Sequence, residues 1–254
     1  MNDDERDAVA AQFGVSTEQV ERDHLISHLL ALISTSVRDQ VQFIGGTALA
    51  RTHLPTGRLS EDIDLIAIDD RKPVAAALDA ALPRGLSRSH GRLTLEPALS
   101  SIESTLPATL RTASGLSVRI QLLSSRDRIV WPSERRVLVQ RYADAPAAEL
   151  LVPTLPAFAA SKTSTWADRK GARDLWDLWA LSELGAIDRQ ATDLYRRYGP
   201  TNHPPGSRLF VSAPTDAEWQ SQLAGQTRIT VSAHHALEAV REAWRAAVTP
   251  INDE

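Results

Sequence analysis

The sequence predicts a mixed α/β half followed by a mostly helical half. Short apolar runs alternate with helix-period segments up to about Ser125, and from Thr154 onward only helical periodicity remains. A chain of 254 residues also suffices for one large or two modest domains with a buried core. The expected division is a first lobe over 1–125 and a second over 126–254.

Each element has its own signal. Ser16-Thr-Glu-Gln19 has the form of a capping box. Val20, His24, Ile26, Leu29, Leu30 and Ile33 follow at helical spacing, which predicts an amphipathic helix over about 17–35. Val41 to Ile44 reads as a short strand stopped by Gly45-Gly46, and a helix resumes at Thr47 until Pro55 and Gly57 break it. Asp62 to Ile68 alternates polar and apolar residues before running apolar, as a strand with one wet end does. Pro73 to Leu82 suits a short Ala-rich helix with proline in its first turn. Segments near 92–98, 105–112 and 117–123 read as strands, with Ser114-Gly115 as the hairpin tip between the last two. Arg135 to Tyr142 reads as one more strand. Helices are then predicted over roughly 155–168, 171–184, 188–198, 214–224 and 233–247, the second and third closed by Gly185 and Gly199. Gly199 to Gly206 holds three prolines and reads as a loop.

Composition excludes several classes. With no cysteine there is no disulfide framework, zinc-thiolate site or thiol nucleophile. No signal-peptide pattern follows the acidic opening MNDDERD, and no apolar run of about 18 residues is present, so a cytoplasmic location with no membrane span is expected. A net charge of −4 rules out a bulk polycation. The cations are skewed: 25 arginines against the three lysines Lys72, Lys162 and Lys170. A lysine is therefore the minority choice here.

The strongest chemical signal is Gly45-Gly46-Thr47 followed by Ser60-Glu61-Asp62-Ile63-Asp64. On a strand, residues i and i+2 point to one face about 7 Å apart, so Asp62 and Asp64 aim two carboxylates at one point. Like charges so close call for a cation between them, and hard oxygen ligands point to Mg²⁺ or Mn²⁺. The two glycines allow backbone to approach a ligand closely, and a helix opening at Thr47 offers amides to an anion. Phosphate held between amides and metal is what nucleotidyl transfer requires. A lone D-x-D also suits a solvated strand end; the strand–Gly-Gly–helix unit before it makes the difference.

These residues resemble a known family. Gly45-Gly-Thr-Ala-Leu-Ala-Arg51 with Ser60-Glu-Asp-Ile-Asp-Leu65 is similar to the AbiEii/AbiGii (MenT-like) nucleotidyltransferase toxins, relatives of DNA polymerase β. Phe158-Ala-Ala-Ser-Lys162, Arg169 and Ala172-Arg-Asp-Leu-Trp-Asp-Leu178 resemble that family's second block. The likeness runs from about Leu25 to Val248. It implies a bilobed α/β (α+β) fold with a polymerase β-like catalytic lobe and a mostly helical second lobe. It also implies an NTP co-substrate whose triphosphate meets Gly46, Thr47 and Lys162. Asp62, Asp64, Lys162 and Asp174 would be catalytic, with Asp62 and Asp64 the metal ligands; Gly45, Gly46, Thr47, Ser60, Arg169 and Arg173 would bind substrate. The implied acceptor is the 3′ end of tRNA, which would stop translation and growth, and the implied partner is a cognate antitoxin. Ser60 matches the position at which such toxins are silenced by phosphate.

The residues themselves leave choices open. A lysine is a compact point charge suited to a triphosphate. Asp174 and Asp177 share a helix face at i, i+3, Asp174 as a group that holds Lys162 or Arg173, Asp177 as structure; Trp176 and Trp179 read as core. Residues 126–173 carry a net charge of +4, which suits a polyanion. A third carboxylate, frequent in polymerase β relatives, is missing from the strand Val118-Arg-Ile-Gln-Leu122, leaving Gln121 or Glu96 as substitutes. Transfer to a small molecule, or a nucleotide-binding regulator without catalysis, are the alternatives. His24 and His28 stand at i, i+4 without the glutamate of H-E-x-x-H and read as helix-surface or core histidines.

Overall fold

A computed structural model describes residues 1–249 and divides into two compact units, Met1–Val152 and Pro153 onward. Among the described residues there are nine α-helices and one seven-stranded sheet. None of the helices is long and apolar enough to cross a membrane.

The first unit is built on the sheet. Its strands are β1 (Val41–Ile44), β2 (Asp62–Ala67), β3 (Thr94–Glu96), β4 (Ala108–Arg111), β5 (Ser117–Ser124), β6 (Ser133–Val137) and β7 (Glu149–Pro153), in the order β3-β4-β5-β2-β1-β7-β6. β2 is central, antiparallel to β1 and parallel to β5, with Ile44 opposite Asp64, Arg119 opposite Asp62 and Gln121 opposite Asp64. Its inward residues Ile63 and Leu65 are fully buried, which leaves Asp62 and Asp64 on the other face, as the alternation predicts.

Helix α2 (Thr17–Val37) is the core of this unit, with Leu25, Ile26, Leu29, Leu30 and Ile33 all fully buried. Ser16 caps it by accepting from the Gln19 amide at 3.3 Å, half of the expected reciprocal box. Helix α4 (Arg71–Gly85) buries Val74, Ala75, Leu78 and Leu82 along one face. Helix α3 (Gly45–Ala50) is six residues long and starts directly at the glycine pair.

Three differences from the sequence reading have physical causes. Helix α1 (Asp3–Phe13) was not anticipated: only Val9 and Phe13 are buried, too few for a clear period, although Asn2 and Glu5 form a complete capping box. Strand β6 is shorter than 135–142. Beyond it the chain bends so that Arg141 and Tyr142 reach Asp23, at 3.5 and 3.0 Å. Strand β7, in a stretch for which the sequence offered no element, joins β1 in parallel through Gln42 opposite Leu151. Residues 126–152 thus belong to the sheet unit rather than to the helical half, and the division falls at 152/153 instead of 125/126.

The second unit is helical: α5 (Leu155–Arg169), α6 (Ala172–Glu183), α7 (Arg189–Tyr198), α8 (Asp216–Leu223) and α9 (Ala233–Val248). All five lie within a few residues of their predicted bounds. The core gathers Trp166, Leu175, Leu178, Trp219 and Trp244. Two buried indoles find acceptors, Trp166 donating to the Leu209 carbonyl and Trp219 to that of Val231, whereas those of Trp176 and Trp244 find none. Trp176 is buried against the half-buried Trp179, edge to face.

Candidate active site

In the sheet unit the two parts of the first motif meet. β1 delivers the chain to Gly45 beside Asp64, its neighbour in register being Ile44. Gly45 has φ +81°, a left-handed conformation open to glycine at little cost, and a Cβ there would collide with Asp64 Oδ2. A Cβ on Gly46 would lie 2.6 Å from Arg58 Nη2 and 3.1 Å from Ser60 Oγ. Positive φ and close approach thus favour glycine at 45, and a Cβ at 46 would displace the end of the Arg58 side chain. The helix they open has Ile44 as its N-cap, which makes no side-chain cap hydrogen bond.

The Thr47 side chain belongs to the scaffold. Its hydroxyl donates to the Asp62 carbonyl and ties α3 to β2, so its side chain serves the scaffold and only its backbone faces the turn. At the far end of α3, buried Arg51 donates to Asp23 Oδ1 at 2.8 Å and to the Val139 carbonyl at 3.0 Å. Burial pulls the Arg51 guanidinium down to about 10, with the Asp23 charge opposing. This clamp, part of the Gly45–Arg51 stretch, holds the glycine turn against α2.

Asp62 and Asp64 share the open face of β2. The Asp62 side chain is 29% exposed and is met by the exposed Arg119 guanidinium, Nε to Oδ1 at 3.2 Å and Nη2 to Oδ2 at 3.4 Å. The candidate third ligand stands next door: Gln121 is level with Asp64 on β5, but its amide nitrogen donates to the Thr105 carbonyl at 2.7 Å. Glu96 is on β3, with β4 and β5 between it and β2, roughly 14 Å away at sheet spacing, so it is no substitute. An all-oxygen donor pair, partly exposed and level with a tight glycine turn, fits a hard divalent cation with phosphate beside it. Arg58, not anticipated, is buried against Gly46 and donates to the Leu59 carbonyl at 3.2 Å. Its signal was the Arg-x-Ser spacing ahead of Asp62.

In the helical unit the second motif forms one cluster, buried at Lys162, Asp174 and Asp177 and open at Arg169. Lys162, on α5, places Nζ 2.6 Å from Asp177 Oδ2 and 3.5 Å from Asp174 Oδ1. Arg169 holds Asp174 in a bidentate grip, Nε to Oδ2 at 2.6 Å and Nη2 to Oδ1 at 2.9 Å. The turn between α5 and α6 makes this geometry: Lys170 is left-handed at φ 51°, and Gly171 N-caps α6 with room for a Cβ only 3.1 Å from Asp174 Oδ2. Arg173 is half-buried on α6; of the two expected partners of Asp174, Lys162 and Arg173, it is Lys162 that meets it. Asp177, read as structural, makes the shortest contact to Lys162.

A family model described as the nucleotidyl transferase AbiEii toxin of type IV toxin–antitoxin systems matches residues 29–253. The chain belongs to the AbiEii nucleotidyltransferase toxin family. It is a nucleotidyltransferase of mixed α/β fold. Among solved structures it is similar to MenT4, a nucleotidyltransferase toxin from Mycobacterium tuberculosis, at 22% identity and TM-score 0.69, over 98% of this chain and 91% of that one. It is also similar to JHP933 from Helicobacter pylori, at 14% identity and TM-score 0.55 over 92% and 93% of the two chains. No curated protein matches it in sequence. In this AbiEii chain, both motif blocks lie inside the matched range.

Proposed function

We propose that this AbiEii toxin transfers a nucleotide from an NTP to the 3′ end of tRNA, using Mg²⁺ or Mn²⁺, and that a cognate antitoxin holds it in check. The observation that carries the reading is the pair Asp62 and Asp64 on one open strand face, with Gly45 packed against Asp64. A divalent ion on those carboxylates would polarise the α-phosphate and favour ionisation of the attacking hydroxyl. The backbone at Gly45, Gly46 and Thr47 receives phosphate oxygens. The 3′-oxygen attacks the α-phosphorus, and pyrophosphate leaves. In the helical unit Arg173 offers a cation to the anionic substrate, while Lys162 and Arg169 are held by Asp174 and Asp177 as positioning groups. Ser60, against Gly46, is where a phosphate would block the turn.

A small-molecule acceptor is the second reading, and one observation favours it. Four of the cations between 126 and 173, namely Arg135, Arg141, Lys162 and Arg169, are paired with carboxylates, which leaves less basic surface for a long polyanion. Purified protein incubated with total tRNA, Mg²⁺ and each labelled NTP in turn tests the proposal. Label on tRNA that disappears in Asp62→Ala, with a steep loss of rate as salt rises, is the expected outcome. Turnover of NTP that ignores tRNA and salt would favour the small acceptor.

A further inference from the structure

Away from the Asp62–Asp64 face, the sheet unit gathers a second set of ligating side chains. His24 and His28 lie one turn apart on α2, and Asp144 comes to them from the segment before β7, 120 residues along the chain from His24. The two Nε2 atoms face each other at 3.2 Å. Asp144 lies 3.0 Å from His24 Nε2 and 3.8 Å from His28 Nε2. The donor atoms fall within 4.8 Å of one another, a grouping made by no other histidines or acids among the described residues.

The spacing is that of a coordination polyhedron. Ligand atoms at ~2.0–2.1 Å from a tetrahedral ion stand ~3.3 Å apart, and the three separations here bracket that edge. A second layer orients the first, as metal-ligating histidines require. His24 Nδ1 is 3.3 Å from His90 Nε2, and His90 Nδ1 is 2.9 Å from Ser89 Oγ, so the outer nitrogen of His24 is occupied and Nε2 is aimed inward. His28 is buried, whereas Asp144 is half exposed and gives an ion a way in. The Met1 amino group contacts Asp144 Oδ2 and lies 3.4 Å from His24 Nε2, so a cationic group already sits at this place.

We propose that His24, His28 and Asp144 form a binding site for a borderline divalent transition metal, Zn²⁺ foremost, separate from the Asp62–Asp64 face. Two imidazoles with one carboxylate select such an ion over Mg²⁺. The Met1 ammonium loses its proton or moves aside on binding. Bound there, the metal staples α2 to the 139–148 segment, the same segment through which Arg141 and Tyr142 reach Asp23. Its effect is on stability.

The test uses full-length protein carrying Asp62→Ala and Asp64→Ala, so that ions taken by the strand carboxylates do not count. After chelator treatment, titration with Zn²⁺ is expected to fill one site and raise the melting temperature. Co²⁺ in its place should give the visible absorption of a four-coordinate ion. Asp144→Asn should weaken Zn²⁺ at least ~10-fold, and so should the outer-layer change His90→Gln. His28→Gln should abolish binding; circular dichroism checks that each variant is folded. No Co²⁺ spectrum, or a Zn²⁺ affinity that His28→Gln and Asp144→Asn leave unchanged, would overturn the proposal.

Discussion

Asp62 with Asp64 and Asp174 with Asp177 are both acid pairs spaced to share one face, at i, i+2 on a strand and i, i+3 on a helix. Their surroundings separate them. Asp62 is partly open and faces an exposed arginine, the kind of ion pair that contributes about 0–1 kcal/mol and yields readily to another cation. Asp174 and Asp177 have side-chain exposures of 1% and 3%, and Lys162 and Arg169 balance them charge for charge. Lys162, itself 8% exposed, cannot leave these acids cheaply, although Arg169 is about as open as Arg119. On the proposed reading, burial separates the acids that would meet a ligand from those that hold the fold, where residue type and spacing do not.

The sharpest way to break this contrast is to neutralise one acid of each pair. Asp64→Asn should lower transfer by about 10³-fold or more, because the site loses a ligand charge. Its urea midpoint should move less than that of a change in the buried pair, because Asp64 is partly exposed. A comparable loss of stability in Asp64→Asn would place that acid with the helical cluster instead. The converse test is Lys162→Ala, which removes the cation 2.6 Å from the buried Asp177 while Arg169 still holds Asp174. A cost of about 3–5 kcal/mol is expected in the same urea assay, partly recovered when Asp177 is also made Leu. An unaltered midpoint with lost transfer would make Lys162 a substrate contact of the Asp64 kind.

The same contrast explains how much was legible. The helices of the second unit follow from local period and caps, so α5 to α9 lie close to their expected bounds. Both aspartates of the strand were legible because a two-residue alternation needs only the neighbours. What escaped depends on residues far apart in sequence. Glu96 looks like a candidate ligand until the sheet order places two strands between β3 and β2. Asp144 carries no local mark of its approach to His24 and His28. The basic stretch over 126–173 looks like a binding surface until Arg135 turns to Asp39, and Arg141 to Asp23. Charge counted along a chain ignores where its partners lie.

Gly45 sharpens the comparison from the backbone side. Gly45→Ala places a side chain at φ +81°, at a cost of roughly 1–2 kcal/mol, and pushes on the Asp64 carboxylate. Transfer should fall about 10²-fold, as a shift of ~1 Å in a reacting group does, while helical-unit stability is unchanged. The mirror change, Gly171→Ala beside Asp174, has 3.1 Å of room and no positive φ, and should be the milder of the two. Equal losses of transfer in both would mean that the two acid pairs are equally constrained.

The smallest effect is expected at Arg119. As a surface partner of Asp62, it competes with whatever cation the carboxylates bind. Arg119→Gln should leave stability within about 0.5 kcal/mol. It should lower the Mg²⁺ concentration for half-maximal transfer by a factor of about 2–5, the equivalent of an exposed ion pair worth up to ~1 kcal/mol. The direction of that change is the informative part. A higher Mg²⁺ requirement, or a raised KM for NTP at saturating Mg²⁺, would show that the guanidinium assists the substrate instead of holding the place of the metal. Asp62 would then sit in a cluster assembled in advance, as Asp174 does, and the difference between the two pairs would lie only in exposure.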